Sequence, residues 1–235
     1  MLKARQTGQL WKKWDEKAQK TGMHKTVFFV NGDEYTGDWK DNKRSGKGTQ
    51  RWKKTRLIYD GDWRNDLRHG YGTMAQPQVG SHTFRKLYAG GWKNDKRHGY
   101  GTNYFSEEEY YEGEWYEDKR SGWGRMYYRD KSVYEGEWYG DKRNGQGMLR
   151  LASDDRYEGS WKDDKKHGSG KFFYLDKGQL LRGTWIEDVP KCGMMEDFGR
   201  EGAPHMTKYP IPECKLANPR HVIDDAVEHA TNQDS

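Results

Sequence analysis

The sequence predicts an all-β protein: an open, single-layer antiparallel sheet of tandem β-hairpins, with a short N-terminal helix before it and an extended C-terminal tail, with room for one short helix, after it. Three observations predict this. A phrase Y-x-G-x-W, followed after six residues by G-x-G, recurs along the 235-residue chain. Within each copy like side chains fall two apart, the period of a strand and not of a helix. Hydrophobic residues make up only 32% and mean hydropathy is -1.32, against an apolar usage of roughly 45–50% in ordinary globular chains. The thick aliphatic core of a two-layer enzyme is therefore excluded. Disorder is excluded as well, because 11 Trp, 16 Tyr, 7 Phe and 29 Gly are the reverse of a ring-poor disordered composition.

Taken in chain order, residues 1–30 should form an N-terminal helix and a capping strand. Thr7 is a candidate N-cap; Leu10, Trp11, Trp14 and Ala18 share one side, and Gly22 follows the last turn. Val27-Phe28-Phe29-Val30 before Asn31-Gly32 signals a strand and a tight turn, which would give the first repeat a preceding partner and shield its edge.

Residues 31–196 should form the repeat ribbon. Clean copies start at Tyr35, Tyr59, Tyr88, Tyr111, Tyr134 and Tyr157, and a decayed one at Leu181. The repeat Trps, from Trp39 to Trp185, are spaced 24, 29, 23, 23, 23 and 24 residues apart. The outlier points to a longer loop between Ala75 and Lys86. A unit this short suits two strands and two turns. In the fourth copy Tyr111, Gly113 and Trp115 point to one face, with Gly122, Gly124 and Met126 of the return strand, while Glu112 and Glu114 point to the other. Glycines leave troughs into which rings from neighbouring strands can lie. One layer cannot bury such a face by itself, so Tyr35, Trp39, Tyr59, Trp63, Tyr88, Trp92, Tyr111, Trp115, Tyr134, Trp138, Tyr157, Trp161 and Trp185 are the expected protein-interaction surface.

Between Trp and G-x-G the turns read KDNKRS, RNDLRH, KNDKRH, YEDKRS, YGDKRN and KDDKKH. Asp and Asn suit the turn backbone. The basic residues Lys96, Arg97, Lys119, Arg120, Lys142, Arg143, Lys165 and Lys166 would then line one margin at roughly 10 Å intervals, two strand spacings per repeat. A track for anionic lipid or an acidic partner competes here with a row of solvated tips neutralised by neighbours such as Asp118 and Asp141. A net charge of +5 over 235 residues is not the concentrated basic face that nucleic acid needs.

Other chemistry finds no residues. His69, His98 and His167 share one position before G-x-G; His167 lies three units from His98, roughly 30 Å away by strand spacing, so these are turn residues and not a three-ligand metal site. Gly168-Ser169-Gly170-Lys171 ends like a phosphate-binding loop, but that pattern needs Gly where Lys165 stands and Ser or Thr where Phe172 stands. Cys192 and Cys214 have no CxxC partner. No transmembrane stretch and no secretory leader is visible, so a cytoplasmic protein without cofactor, metal or catalytic site is expected. Residues 197–235 carry four prolines before Pro219's neighbour Arg220 is reached, which predicts an extended tail; Val222, Ile223, Ala226 and Val227 could then share one face of a last short helix, too short to be stable alone.

The phrase Y-E-G-E-W-x6-G-x-G resembles the MORN repeat, and six close copies plus one decayed copy cover most of the chain. The resemblance implies a non-catalytic scaffold that binds structural proteins in cilia, flagella, an axoneme or the cytoskeleton, often as a homodimer or paired with another MORN protein. Members with enzymatic activity resemble fusions to a kinase or methyltransferase domain, and none is present here. The alternative reading is a membrane-surface module holding anionic phospholipid on its basic tips. The seventh unit departs from the pattern: Leu181 replaces Tyr, and Cys192 and Met194 replace the two glycines, which puts a regular hairpin in doubt and suggests a cap.

Overall fold

Strands begin and end close to where the repeat phrase places them in the computed structural model, which describes residue 13, residues 17–78, residue 80 and residues 83–199. Its contacts divide the chain into two compact units, one reaching Tyr104 and including Tyr116–Asp118, the other comprising Phe105–Trp115 and the chain from Lys119. The first holds β1 (Gly22–Phe28), β2 (Glu34–Lys40), β3 (Lys43–Arg51), β4 (Ile58–Arg64), β5 (Leu67–Pro77), β6 (Phe84–Lys93) and β7 (Lys96–Tyr104). The second is built on β8 (Tyr110–Tyr116), β9 (Lys119–Tyr127), β10 (Val133–Tyr139), β11 (Lys142–Arg150), β12 (Arg156–Lys162), β13 (Lys165–Tyr174), β14 (Gln179–Ile186) and β15 (Val189–Asp197). Within each unit the strand order is the chain order and the pairing is antiparallel throughout, an open single layer as the repeats require.

Two local devices make each hairpin. Directly after the Trp and one spacer come two residues that both have positive φ, for example Asn65 (51°) and Asp66 (68°), or Asp163 (48°) and Asp164 (70°). Paired left-handed residues give the turn whose twist matches that of antiparallel strands, and Asn and Asp tolerate that region best among residues with a Cβ. The second device is a bulge on the returning strand. Gly136 faces Gly147, but Trp138 faces Arg143, so β11 carries two extra residues there, and Gly145 takes φ 92°. Across the bulge the basic residue, not the first glycine of G-x-G, stands opposite the Trp. The expectation that Gly122 shares the face of Trp115 is therefore corrected, since a Cβ there would meet the Glu114 side chain, and of each basic pair only the first residue points out along the margin.

Three further expectations change. The insertion near Ala75 is taken up mostly as strand: β5 and β6 are lengthened, with Pro77 facing Phe84. The capping strand begins earlier than predicted, at Gly22, and it imitates a returning strand. Gly22 has φ 84° and faces Trp39, as Gly46 (φ 89°) faces Trp63, and His24 stands opposite Gly37 where a repeat would have its second glycine. The seventh unit is a hairpin after all. Its bulge is one residue shorter, so that Gly193 faces Gly183, and Pro190 faces Trp185. Of the predicted N-terminal helix Lys13, Lys17 and Ala18 are helical, while Gln19 (φ 44°), Lys20 and Thr21 are not, so it ends earlier than predicted; the rest lies outside the described residues, as do Cys214 and the tail from residue 200. Phe198 is described, with its N–H on Gly178 O at 2.9 Å and its ring 5.8 Å from that of Phe173.

Candidate interaction surface

The rings of the repeat phrase are interior. All thirteen, from Tyr35 to Trp185, are only 0–7% exposed, so the expectation that they form a row of rings in water is corrected. What buries them is each other, the glycines and the basic residues. In the first unit the order Trp39, Tyr35, Trp63, Tyr59, Trp92, Tyr88 is a continuous ladder of edge-to-face contacts with centroids 5.1–5.5 Å apart. In the second, Trp115, Tyr111, Trp138, Tyr134, Trp161, Tyr157, Trp185 repeat it at 5.1–5.3 Å. Edge-to-face packing sets the positive rim of one ring on the negative face of the next.

Polar tips of the rings are satisfied within the sheet. Each Tyr hydroxyl donates to the carbonyl three residues on, as Tyr59 to Asp62 O and Tyr134 to Glu137 O at 3.0 Å. Trp Nε1 donates to the second glycine of the preceding G-x-G, as Trp138 to Gly124 O at 3.1 Å. These bonds need the ring flat on the backbone. A Cβ on Gly124 would fall well under 3.0 Å from the Tyr111 ring, and one on Gly113 would fall on the backbone of Gly124. Trp39 alone among these has a buried Nε1 without an acceptor among the described residues, at the joint where β1 has His24 in place of the second glycine. Burial pushes the hydroxyls of Tyr35, Tyr59, Tyr88, Tyr134 and Tyr157 well above the ordinary tyrosine value of 10.0.

The basic margin is a set of latches. Arg143 lays its guanidinium carbon 4.3 Å from the centroid of Trp161 in the next hairpin, and both its backbone N–H and Nε donate to Asp164 Oδ1 at 3.0 and 3.2 Å. The N–H of Asp164 returns a bond to Arg143 O at 3.0 Å. Arg44 with Asp66 and Trp63, Arg68 with Asp95 and Trp92, and Arg120 with Asp141 and Trp138 repeat the arrangement, and Arg97 repeats the bonds with Asp118. A planar, always-charged fork over an indole combines cation–π attraction with a charge-assisted hydrogen bond. Lys20 takes the same place for the first hairpin, exchanging backbone and side-chain bonds with Asn42 and lying 5.0 Å from Trp39. Lys166 takes it in the last joint, where burial lowers its ammonium below the usual lysine range.

The eight basic candidates therefore separate. Arg97, Arg120, Arg143 and Lys166 are half-buried between hairpins. Lys96, Lys142 and Lys165 are exposed but ion-paired with Glu117, Asp163 and Glu187 at 3.2, 2.8 and 3.2 Å. Lys119 is exposed, in the repeat whose following turn has Gly140 in place of the acid.

Exposed rings lie on the opposite face, which the sequence reading had treated as simply charged. In the first unit these are Tyr71, Tyr100 and Tyr116, in the second Trp123 and Tyr139, all 50–75% exposed. The signal was available: the middle residue of G-x-G must point away from the ladder, and copies two, three and four have Tyr, Tyr and Trp there. The acids of this face also serve the fold, since Glu114, Glu137 and Asp62 accept the N–H of Trp123, Gln146 and Tyr71 and so hold the bulge. Among the described residues no group of three or more His, Cys, Asp and Glu could hold a metal, and no helix is long and apolar enough to cross a membrane.

Successive glycine-aromatic hairpins of one pattern, latched to one another within each unit, are the architecture of one repeat class. The family model for the MORN repeat matches residues 35–54, 59–77, 88–106, 111–133, 134–156 and 157–179, and the chain belongs to the MORN-repeat family. It is similar over nearly its whole length to proteins named MORN repeat-containing protein 3: 58% identical over 217 residues to that of Xenopus laevis, with 92% of this chain and 91% of the relative covered. It is 64% identical over 218 residues to that of Homo sapiens, covering 93% and 91%, and 61% identical over 218 residues to that of Mus musculus, covering 93% and 90%.

Proposed function

We propose that the chain is a non-catalytic scaffold that binds other structural proteins, a second copy or another MORN protein among them, in a ciliary or flagellar axoneme or a comparable cytoskeletal assembly. The observation that supports this reading is the set of large rings left in solvent on the face opposite the ladder. Tyr71 and Tyr100 occupy the same repeat position two strands apart, so their rings recur at a spacing of roughly 10 Å, and between them the repeat acid is replaced by Gly91. Rings that the fold does not use for its own packing are the residues most suited to anchor a protein interface.

Residue-resolved crosslinking in native axonemes tests it, using the wild-type chain and a Tyr71→Ser/Tyr100→Ser variant that melts at the same temperature. Crosslinks from the flanking strands to a structural protein should be present in the first and lost in the second. Identical crosslinks in both would overturn the assignment of this face, and none to any structural protein would overturn the scaffold reading.

The phospholipid reading depends on the basic tips, and the latches and ion pairs weaken its support, because of the exposed lysines only Lys119 stands beside a turn with Gly140 where the others have Glu117, Asp163 or Glu187. Co-sedimentation with anionic vesicles at low salt, unaffected by Lys119→Glu, would count against it.

A further inference from the structure

At the end of the first unit away from the latches, Arg51, Lys53 and Arg56 make no ion pair among the described residues, although Asp33 accepts the backbone N–H of Lys53 at 2.9 Å. The loop from Arg51 to Arg56 reads Arg-Trp-Lys-Lys-Thr-Arg without an acid, whereas the corresponding loops of the second unit carry Asp130 and Asp154. It closes through Trp52 N–H on Leu57 O and Arg56 N–H on Trp52 O, at 2.9 and 2.8 Å. Beside it lies a groove of about 510 Å³ whose walls include Phe28, Trp52 and Phe84, with Arg51, Lys53 and Arg56 along it. Phe28 and Phe84 are 72% and 51% exposed. The groove exists because two features absent from a plain repeat converge there: the capping strand brings Phe28, and the lengthened β5–β6 pair brings Phe84. Its single acid, Glu34, stands opposite Arg51 across the β2–β3 pair.

Apolar rings in a concavity flanked by three cations suit a ligand with apolar groups on one side and carboxylates on the other. A short helix can lay its apolar side chains into such a concavity. The chain itself contains a segment of that chemistry. Val222, Ile223, Ala226 and Val227 fall on one side at helical spacing, and Asp224, Asp225 and Glu228 on the other. Seven residues are too few for an independent helix, so a helix of this sequence would need a surface to hold it. The volume lies within the range of ligand-sized pockets: room for those apolar side chains, with the carboxylates left at the rim beside Arg51, Lys53 and Arg56. The geometry points to this groove as the docking site of the chain's own C-terminal segment, residues 222–228.

Amide hydrogen exchange of the full chain tests this through a charge swap. Residues 222–228 should be protected at least ten-fold over a free peptide of the same sequence. Lys53→Glu/Arg56→Glu should abolish that protection while the exchange of the β2–β5 amides is unchanged, since both side chains are exposed and neither stands opposite an acid across a strand pair, and Arg51→Glu/Arg56→Glu should abolish it as well. Combining either pair with Asp224→Lys/Asp225→Lys should restore the protection. Carbodiimide coupling should join Lys53 to Asp224, Asp225 or Glu228 in the wild type; mixing isotope-labelled with unlabelled chains then separates a segment of the same chain from that of a second copy, and either supports the docking. Wild-type exchange at the rate of the free peptide would overturn the proposal. So would loss of anionic-vesicle binding in Arg51→Glu/Arg56→Glu with exchange of 222–228 unchanged, which would assign the groove to lipid.

Discussion

The joint between hairpins five and six and the joint between six and seven lie in the same unit, use the same backbone pairing and differ in the side chain at the latch, Arg143 in one and Lys166 in the other. In the first, Arg143 stacks on Trp161 and donates from its side chain and its backbone to Asp164. In the second, Lys166 N–H still donates to Asp188 Oδ1 at 2.9 Å, but the ammonium lies 5.0 Å from Phe172 and 5.4 Å from Tyr157. Beyond it Pro190 occupies the latch position and has no N–H to offer, so the series of latches stops, as suits a terminal edge strand. The difference teaches that the backbone register sets which repeats are neighbours, while the guanidinium sets how firmly they are held.

The broadest way to break both joints is alkali. Tyr134 lies beneath Arg143, whose charge partly offsets the effect of burial, whereas at Tyr157 the nearby Asp188 adds to it. Both folded hydroxyls are nonetheless raised far above 10.0, so the neutral ring favours the folded state. That contribution is complete below pH 10 and is lost as pH rises above it toward the folded values. Tyrosinate absorbance of the buried rings should therefore appear only together with unfolding, seen in the same sample by circular dichroism; titration of every tyrosine near pH 10 with the fold intact would contradict the ladder.

Removing one rung comes next. Trp161→Ala deletes the ring shared by Tyr134, Tyr157 and Arg143, and should cost about 3–5 kcal/mol in denaturant unfolding. The joints themselves separate at the following step. Arg143→Ala should cost about 1–3 kcal/mol, because it removes a charge-assisted bond and a stacked cation and leaves Asp164 less well paired. Lys166→Ala should cost about 0.5–1 kcal/mol. Equal losses would show that the guanidinium is not what distinguishes the two joints. The smallest effect expected is a gain of about 0.5–1 kcal/mol from Lys166→Arg, if the fork reaches Asp188 as its counterparts reach theirs.

Much of this was legible in the residues. The spacing of the Trps gave the number and length of the hairpins, Asp and Asn gave the turns, and the glycine beside each Tyr gave the trough for its ring. The bulge was not legible, because it depends on two extra residues in the return strand that only the register reveals. With it went the place of the arginines, which a flat hairpin sends outward and the bulged one folds over the next Trp. Misplacing them made the ladder look uncovered, so rings that the latches bury were expected in solvent. Tyr71, Tyr100 and Trp123 could have been found from alternation alone. Gly193 could not, since it matches the repeat only after one residue of the bulge is dropped.

Hydroxyl-radical footprinting of the intact chain compares the two sets of rings in one experiment. Tyr71, Tyr100, Tyr116, Trp123 and Tyr139 should be oxidised readily, while Tyr35, Tyr59, Trp63, Tyr134, Trp138 and Trp161 should stay protected until the protein unfolds. Oxidation of the second group at rates matching the first would mean that the repeat rings face solvent and that the latched ladder is not the core of this protein.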